Sequence, residues 1–178
     1  IQTVKRMSNT PTEIDNGTSG VDWDGKDKNV NIEFTQASVG YDFVNTMKLK
    51  LVSGRDFSKD FATDSVGYLI NEAALKRIGY KDPIGKRLTF WGKKGTIIGV
   101  LKDFHFTSLH NAINPFIIRL AEKESYGNAL IRTQAGKTKE AIAGLESLWK
   151  QMNPNFQFTY QFSDEEYKSE VISLYNFL

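Results

Sequence analysis

The sequence predicts an α+β fold, a sandwich in which helices cover one face of a mixed β-sheet, with a small helix-plus-hairpin unit inserted near the middle. Segments typical of strand, helix and strand follow one another around residues 40–54 and again over 128–162, and two such β-α-β units build a fold of this class. Residues 65–103 instead have the pattern of one helix followed by a hairpin. Twelve Phe, seven Tyr and three Trp supply the bulk of a core.

Alternating apolar and polar residues predict the first strands. The alternation covers residues 31–37 and 47–51, and residues 41–47 between them suit a short helix. The segment 53–65, which is rich in Ser and Asp, is predicted to be a loop.

The middle of the chain carries clear helix and turn signals. Asn71 can cap the start of a helix and Gly79 can end it, because glycine readily adopts the left-handed conformation found at helix ends. A hairpin follows, with strands predicted at 86–91 and 96–101 and a glycine-bounded turn over 92–95.

The last third is predicted to contain strands at 116–120 and 128–133, a helix over 137–152, and a strand at 156–162. An apolar stripe with helical spacing marks the helix: Ala141, Ile142, Leu145, Leu148, Trp149 and Met152. Aromatic residues at alternate positions predict that the final strand packs one face onto the core: Phe156, Phe158, Tyr160 and Phe162.

A further helix is predicted over 164–178. Ser163 and Glu166 have the spacing of a capping box, Tyr167 follows in the first turn, and the helix becomes apolar from Val171 onward. Such a helix either docks on the core or approaches a membrane. Because the chain opens with Ile1 and not Met, we expect it to be a piece of a longer protein.

The composition excludes several classes of protein. The 23 basic and 21 acidic residues of the 178-residue chain are interspersed, whereas nucleic-acid binding requires a basic stripe. The absence of Cys excludes disulfides, zinc–thiolate sites and cysteine nucleophiles. No run approaches the roughly 20 apolar residues of a membrane span.

The segment KDFHFTSLH holds the best candidates for chemistry. Asp103, His105 and His110 could act as metal ligands in a hydrolase, although the two imidazoles are five residues apart and not four as in helical zinc motifs. In an extended chain Phe104 and Phe106 would face the other side, which favours a packed structural segment.

Other motifs are incomplete. Asp22, Asp24 and Glu33 match three positions of a calcium-binding loop, but Lys26 and Asp27 occupy positions that need an oxygen ligand and a glycine. The sequence has neither a G-x-x-x-x-G-K-[ST] phosphate loop nor a G-x-S-x-G nucleophile elbow, so we expect no catalytic residues and no cofactor in this chain.

An ordered series of motifs resembles the extracytoplasmic domain of ABC transporter permeases of the MacB/FtsX type. The series covers about residues 35–162 and consists of GRDF at 54–57, INEAALKRIG at 70–79, DPIGKRL at 82–88, TIIGVLKDFHFTSLH at 96–110 and NPFIIRL at 114–120.

The resemblance implies a porter-like sandwich formed by residues 1–64 and 104–163, an inserted sabre-like lobe at 65–103, and a juxtamembrane stalk helix at 164–178. Phe104, Phe106 and the stalk residues Ser163, Glu166, Tyr167 and Val171 are then expected to be structural or coupling residues. The domain would lie outside the bacterial inner membrane, joined to it by flanking transmembrane helices.

The resemblance also implies the partners and the mechanism. ATP would be bound by a cytoplasmic ABC ATPase, a second permease copy would complete the transporter, and a periplasmic cargo or adaptor could bind outside. The expected function is the relay of ATP-driven motion to a substrate. A metal-dependent hydrolase using Asp103, His105 and His110, and a stand-alone module that binds peptides or cell-wall fragments, remain the alternatives.

Overall fold

A computed structural model describes residues 3–7, 14, 16–105, 112–120, 128–162 and 171–175. The helices in this part of the chain are α1 (Phe43–Met47), α2 (Glu72–Ile78) and α3 (Thr138–Met152), and a 3-10 turn spans Ala62–Val66. The strands are β1 (Thr3–Met7), β2 (Gly17–Thr18), β3 (Val21–Trp23), β4 (Phe34–Val39), β5 (Leu51–Gly54), β6 (Gly67–Asn71), β7 (Arg87–Phe90), β8 (Lys93–Leu101), β9 (Phe116–Leu120), β10 (Asn128–Arg132), β11 (Tyr160–Phe162) and β12 (Val171–Tyr175).

The described strands form one mixed sheet. Its order is β11-β12-β10-β1-β4-β9-β6-β8-β7-β3, with β2 beside β4 and β5 beside β8. The pairs β4–β9 and β6–β8 are parallel, and the remaining pairs are antiparallel. The predicted α+β class with a mixed sheet is therefore confirmed.

One parallel strand–helix–strand unit is β6-α2-β8, in the middle of the chain. A second, split unit is β10-α3-β11, as predicted for residues 128–162, because β10 and β11 each pair antiparallel with β12 between them. The strands that flank α1 pair with other strands, since β4 lies beside β9 and β5 lies beside β8. Because β6 also pairs with β9, the sheet continues without a break from the middle unit into the rest of the described fold. The porter-like arrangement and the lobe boundary at 65–103 stay predictions.

Two hydrophobic clusters cover the two faces of this sheet. Along β6, Leu69 belongs to one cluster while Tyr68 and Ile70 belong to the other, as the two-residue period of a strand requires. Phe43 of α1 packs in the first cluster and Ala74 of α2 in the second, so these two helices lie on opposite faces. The prediction that the helices cover one face of the sheet is therefore wrong for this pair.

Several predicted boundaries were wrong by a few residues. The first long strand begins at Phe34, and every residue of Phe34–Val39 is buried, so alternation alone could not find its ends. Met47 closes α1, and Lys48 adopts the left-handed conformation after it. The next strand therefore begins only at Leu51.

The hairpin turn is shorter than predicted. Trp91 and Gly92, at φ 46° and 77°, form a two-residue turn between β7 and β8, and positive φ at both positions matches the twist of a tight hairpin. Gly95 lies inside β8, where a Cβ would be 1.9 Å from the Val66 carbonyl oxygen. This glycine permits a close strand approach and does not belong to the turn.

The C-terminal predictions fail in part. Only Tyr160–Phe162 of the predicted aromatic strand is a strand, and its side chains are exposed. Val171–Tyr175 forms β12, which pairs with β10 and β11, so the predicted helix is wrong there. Adjacent β-branched residues, Val171 and Ile172, favour a strand. Ser163, Glu166 and Tyr167 lie outside the described residues.

The helix α3 is observed as predicted, but its apolar stripe is only partly covered. Ala141 is buried, whereas Leu148 and Met152 are 52% and 70% exposed. No helix among the described residues is both long and apolar enough to cross a membrane.

Candidate functional site

The end of β8 is tied to the start of α2 at Asp103. The Asp103 carboxylate accepts a hydrogen bond from the Ala73 amide at 2.9 Å, and the Asp103 amide donates to the Glu72 carboxylate at 3.0 Å. This reciprocal pair satisfies one backbone donor in the first turn of the helix, the Ala73 amide, and the backbone amide of Asp103 after β8. The carboxylate predicted as a possible metal ligand is therefore engaged with a helix N-terminus.

Phe104 and His105 follow at this junction. The Phe104 ring meets Phe116 edge to face, with centroids 5.6 Å apart, and packs against the first hydrophobic cluster. His105 is half-buried. Phe106 and His110 lie outside the described residues, so their predicted roles stay predictions.

Metal binding finds no support in the described residues. No group of three His, Asp or Glu side chains in this part of the chain is arranged to hold an ion. The calcium-loop segment behaves as a polar turn, because the Lys26 ammonium donates to the Val21 carbonyl at 2.6 Å and lies over the Trp23 ring.

Asn71 connects three elements at the junction. Its side-chain oxygen accepts from the amides of Ala74 and Phe116 at 2.9 and 2.8 Å, and its side-chain nitrogen donates to the Asn114 carbonyl at 3.0 Å. Asn71 is 1% exposed. The predicted helix cap is therefore also a buried link from β6 to the start of β9, which local sequence pattern could not indicate.

A cleft of about 880 Å³ lies beside this junction. Its described lining includes two cations from α2 and apolar residues that precede β9: Lys76, Arg77, Ala112, Ile113 and Pro115. The cleft is large enough for a small ligand or a short peptide.

A second polar cluster follows the Gly-Arg-Asp-Phe motif. The Arg55 guanidinium donates two hydrogen bonds to Asp64, at 2.7 and 2.6 Å, and the Ser58 amide donates a third at 2.8 Å. Asp64 is fully buried. The sequence predicted only a loop here, because the ion pair joins residues nine positions apart outside any periodic pattern.

The glycine of this motif has a steric role. Gly54 has φ +75°, and a Cβ there would be 2.2 Å from the carbonyl oxygen of Ile98. Gly99 faces the same contact, since its Cβ would be 2.5 Å from the Arg55 carbonyl oxygen. The two backbones therefore approach closely only because both positions lack a side chain.

The Asp64 carboxylate remains ionised despite its burial. Burial disfavours the charged form, but hydrogen bonds from Arg55 and Ser58 and the charge of Arg55 together hold the pKa of Asp64 below its ordinary value. For Asp56, burial raises the pKa above its ordinary value, the Phe57 amide hydrogen bond opposes the rise, and the negative charge of Asp42 adds to it.

The Asp56→Asn variant is expected to be more stable than the parent chain at pH 7. A carboxyl with a raised pKa stabilises the fold only when protonated, so its contribution is lost as pH rises. The gain in Tm should be a few degrees at most, and should vanish below the ordinary aspartate pKa of about 4. Thermal unfolding between pH 4 and 7 tests this. The exposed Asp60→Asn should leave Tm unchanged, and an equal gain at both pH values would contradict the explanation.

The comparisons with known proteins agree on one family. The profile of the MacB-like periplasmic core domain matches residues 3–147. In a search of curated proteins, no match was found.

Solved structures support the same fold. The periplasmic region of MacB from Actinobacillus actinomycetemcomitans matches with a TM-score of 0.51 and 19% identity, over 85% of this chain and 67% of that one. The extracellular domain of the noncanonic ABC-type transporter YknZ from Gram-positive bacteria matches with a TM-score of 0.62 and 15% identity, over 99% of this chain and 82% of that one.

Proposed function

The chain belongs to the MacB-like periplasmic core domain family, and we propose that it relays ATP-driven motion across the membrane to a substrate on the extracytoplasmic side. Membership makes it a periplasmic domain of a MacB-like ABC transporter permease, and such domains are not themselves enzymes. Family membership alone does not establish the relay, the export of a substrate or the identity of the partners. We propose these three.

The continuous sheet is the observation that supports a relay most directly. β6 pairs with β8 on one side and with β9 on the other, and β9 continues the sheet to β4. A displacement applied at one end of a hydrogen-bonded, close-packed sheet moves the other end, because the interior has little room to deform.

The junction contacts support the same proposal. Asn71 joins β6 to β9, and Asp103 joins the end of β8 to α2. The buried Asn71 link opposes bending between the middle unit and the rest of the described fold, and the Asp103 link stiffens the middle unit itself.

The proposal assigns ATP hydrolysis to a separate cytoplasmic subunit. The sequence lacks a phosphate-binding loop, which is consistent with that division. A second permease copy and flanking transmembrane helices would complete the transporter in the inner membrane. We propose that the segment from Ser163 couples the domain to those helices.

A single label can be placed in this chain because its 178 residues contain no Cys. The test uses the intact permease with its ATPase, after any cysteines elsewhere in the two proteins have been replaced. A single spin label at Lys94→Cys, which is exposed, would report the distance between two permease copies by pulsed electron resonance. We expect the distance to change when ATP binds. Inserting Gly-Gly after Lys168 should abolish the change, because a flexible linker absorbs displacement.

The matched control is a Gly-Gly insertion after Gly136, in an exposed turn before α3. This insertion should leave the ATP-dependent distance change intact. If the ATP-dependent distance change is unaltered by the insertion after Lys168, the segment from Ser163 does not have the proposed coupling role. If the distance between the two permease copies does not change with ATP in the parent permease, the proposed relay is wrong.

A second candidate function, ligand binding, is supported by the cleft beside the junction. Two carboxylates also line the cleft, but Asp103 and Glu72 accept hydrogen bonds from backbone amides, whereas Lys76 and Arg77 are exposed and would suit an acidic peptide. NMR titration with a short acidic peptide should shift the amides around α2, and a Lys76→Glu variant should lose the response. Unshifted spectra at millimolar peptide would remove this candidate.

A further inference from the structure

Trp91 adopts an unusual backbone conformation at the tip of the β7–β8 hairpin. Its φ of 46° lies in the left-handed region, which bulky side chains rarely occupy. Asn or Asp is the favoured residue at the first position of such a turn. A tryptophan that persists there indicates a role for its ring, since strained residues concentrate at functional positions.

The indole is held in place by contacts with the β2–β3 segment. The Trp91 amide donates to the Gly20 carbonyl at 2.9 Å, and the indole N–H donates to the Thr18 hydroxyl at 2.8 Å. The ring also lies against the Gly20 backbone, where an added Cβ would be 2.3 Å from its Cδ1 atom. The orientation of the ring is therefore fixed before any partner arrives.

The indole nevertheless remains accessible. Trp91 is 59% exposed, although the ring contacts Gly20 and Phe90. Because its N–H already has an acceptor in Thr18, the exposed part of the ring can be dehydrated without stranding a polar group. These properties fit an apolar pocket on a partner, and a convex tip requires that the pocket belong to the partner.

The charged residues that follow Trp91 directly in the hairpin are positive. Lys93 and Lys94 follow the turn and are exposed. The acids near the hairpin include Asp24, which lies 3.9 Å from Arg87, and Asp22, which is paired in register with Thr89. The Glu33 carboxylate lies against Gly17 of β2. An exposed indole beside two exposed ammonium groups suits a pocket with an acidic rim.

The position of the hairpin distinguishes a protein partner from a membrane. β7 lies near one end of the strand order, whereas β1 and β12, which contain the first and last described residues, lie toward the other end. Under the proposed function, the segment from Ser163 that couples the domain to the membrane helices leads into β12, and the hairpin lies several strands away from β12 in the sheet, which favours a protein partner over the membrane surface.

We propose that Trp91 is the anchor residue of a docking site for an extracytoplasmic protein that offers an apolar pocket rimmed by acidic residues. This proposal rests on the proposed function, because it names where a partner of the permease would bind. Lys93 and Lys94 supply the complementary charge.

The test uses the full permease in cells with a photo-crosslinking amino acid at Asp22, an exposed residue that pairs in register with Thr89 of the hairpin. We expect a covalent adduct with a second protein, whose yield falls about tenfold in Trp91→Asn and in Lys93→Glu. Ile84→Ala, which trims another residue exposed at 44%, is the matched control and should leave the yield unchanged. The captured protein is then identified, purified and titrated against the 178-residue chain, where both tip variants should weaken binding by the same factor.

Trp91→Asn separates docking from folding, because asparagine is favoured in this turn and should preserve the hairpin. Unfolding of this variant would assign the ring a structural role and overturn the proposal. An adduct with another permease copy, binding only to phosphatidylglycerol-containing vesicles, or a yield insensitive to Trp91 would also overturn it. If ATP still changes the distance between domains while no adduct forms, the docking site fails and the proposed relay stands.

Discussion

Replacing Arg55 with alanine is expected to lower the free energy of unfolding by about 3 to 5 kcal/mol at pH 7, because it leaves a buried carboxylate without its counter-charge. Asp64 has no exposed side-chain surface, whereas the Arg55 side chain is 34% exposed. Asp64→Ala should therefore lower the free energy of unfolding by less than Arg55→Ala does, because the Arg55 side chain that remains in Asp64→Ala can be hydrated. The centroid of the Phe61 ring lies 3.7 Å from the guanidinium carbon of Arg55, and this contact should be kept in part in Asp64→Ala.

The pH dependence gives this prediction a distinctive sign. In the parent chain the pKa of Asp64 is below its ordinary value, so its stabilising contribution is present at neutral pH and is lost as pH falls through the folded-state pKa. In Arg55→Ala, burial remains while the arginine is gone, so the pKa of Asp64 should rise. The stability difference between the two proteins should therefore shrink as the solution becomes acidic.

Urea unfolding followed by circular dichroism at pH 7 and pH 4 measures both effects. Lys150→Ala is the control, because it removes an exposed ion pair with Glu146 that is expected to contribute less than about 0.5 kcal/mol. A deficit below about 1 kcal/mol for Arg55→Ala, or one that grows in acid, would contradict the assignment.

The sequence predicted correctly those helices that are stabilised by residues close together in the chain. Asn71 accepts the Ala74 amide and Gly79 ends α2 at φ +83°, as the sequence indicated. α3 also follows its apolar spacing. In each case the stabilising groups lie within one or two turns of one another, so a short window of sequence contains them.

Features that depend on distant residues escaped prediction. Asp64 is buried because Arg55 and the Ser58 amide surround it, and a Ser- and Asp-rich segment gave only the signal of a loop. The position of β6 between β8 and β9 arises from pairings across 30 to 50 residues, which periodicity does not encode. Val171–Tyr175 was assigned to a helix because a capping signal at Ser163 was extended too far.

The same contrast applies to the candidate site. The sequence singled out Asp103 as a possible metal ligand, but its observed contact is with the Ala73 amide, 30 positions earlier in the chain. Trp91 was assigned to a strand, and its exposed, anchored ring depends on contacts with Thr18 and Gly20. Tertiary contacts, more than residue types, therefore decide which polar and aromatic side chains remain available to a partner.

Replacing Asn71 with alanine is expected to lower the free energy of unfolding by about 2 to 3 kcal/mol, because it removes one buried side-chain amide that makes three hydrogen bonds. Loss of a helix cap alone costs about 1 kcal/mol, so a larger value requires the bonds to the β9 segment as well. Asn71→Ser separates the two roles, since a serine hydroxyl can still cap α2 but is shorter than the amide that reaches Phe116. The free energy of unfolding of Asn71→Ser should therefore lie between those of Asn71→Ala and the parent chain.

Amide hydrogen exchange locates the effect within the fold. Asn71→Ala should lose protection at Ala74 and at Phe116, whereas Asn71→Ser should lose it mainly at Phe116. Asn29→Ala, in an exposed turn, provides the control and should leave both amides protected. Retained protection of Phe116 in Asn71→Ala would show that β9 is held by strand pairing alone. Asn71 would then be only a helix cap, and the stiffness required for a relay would have to arise from the sheet itself.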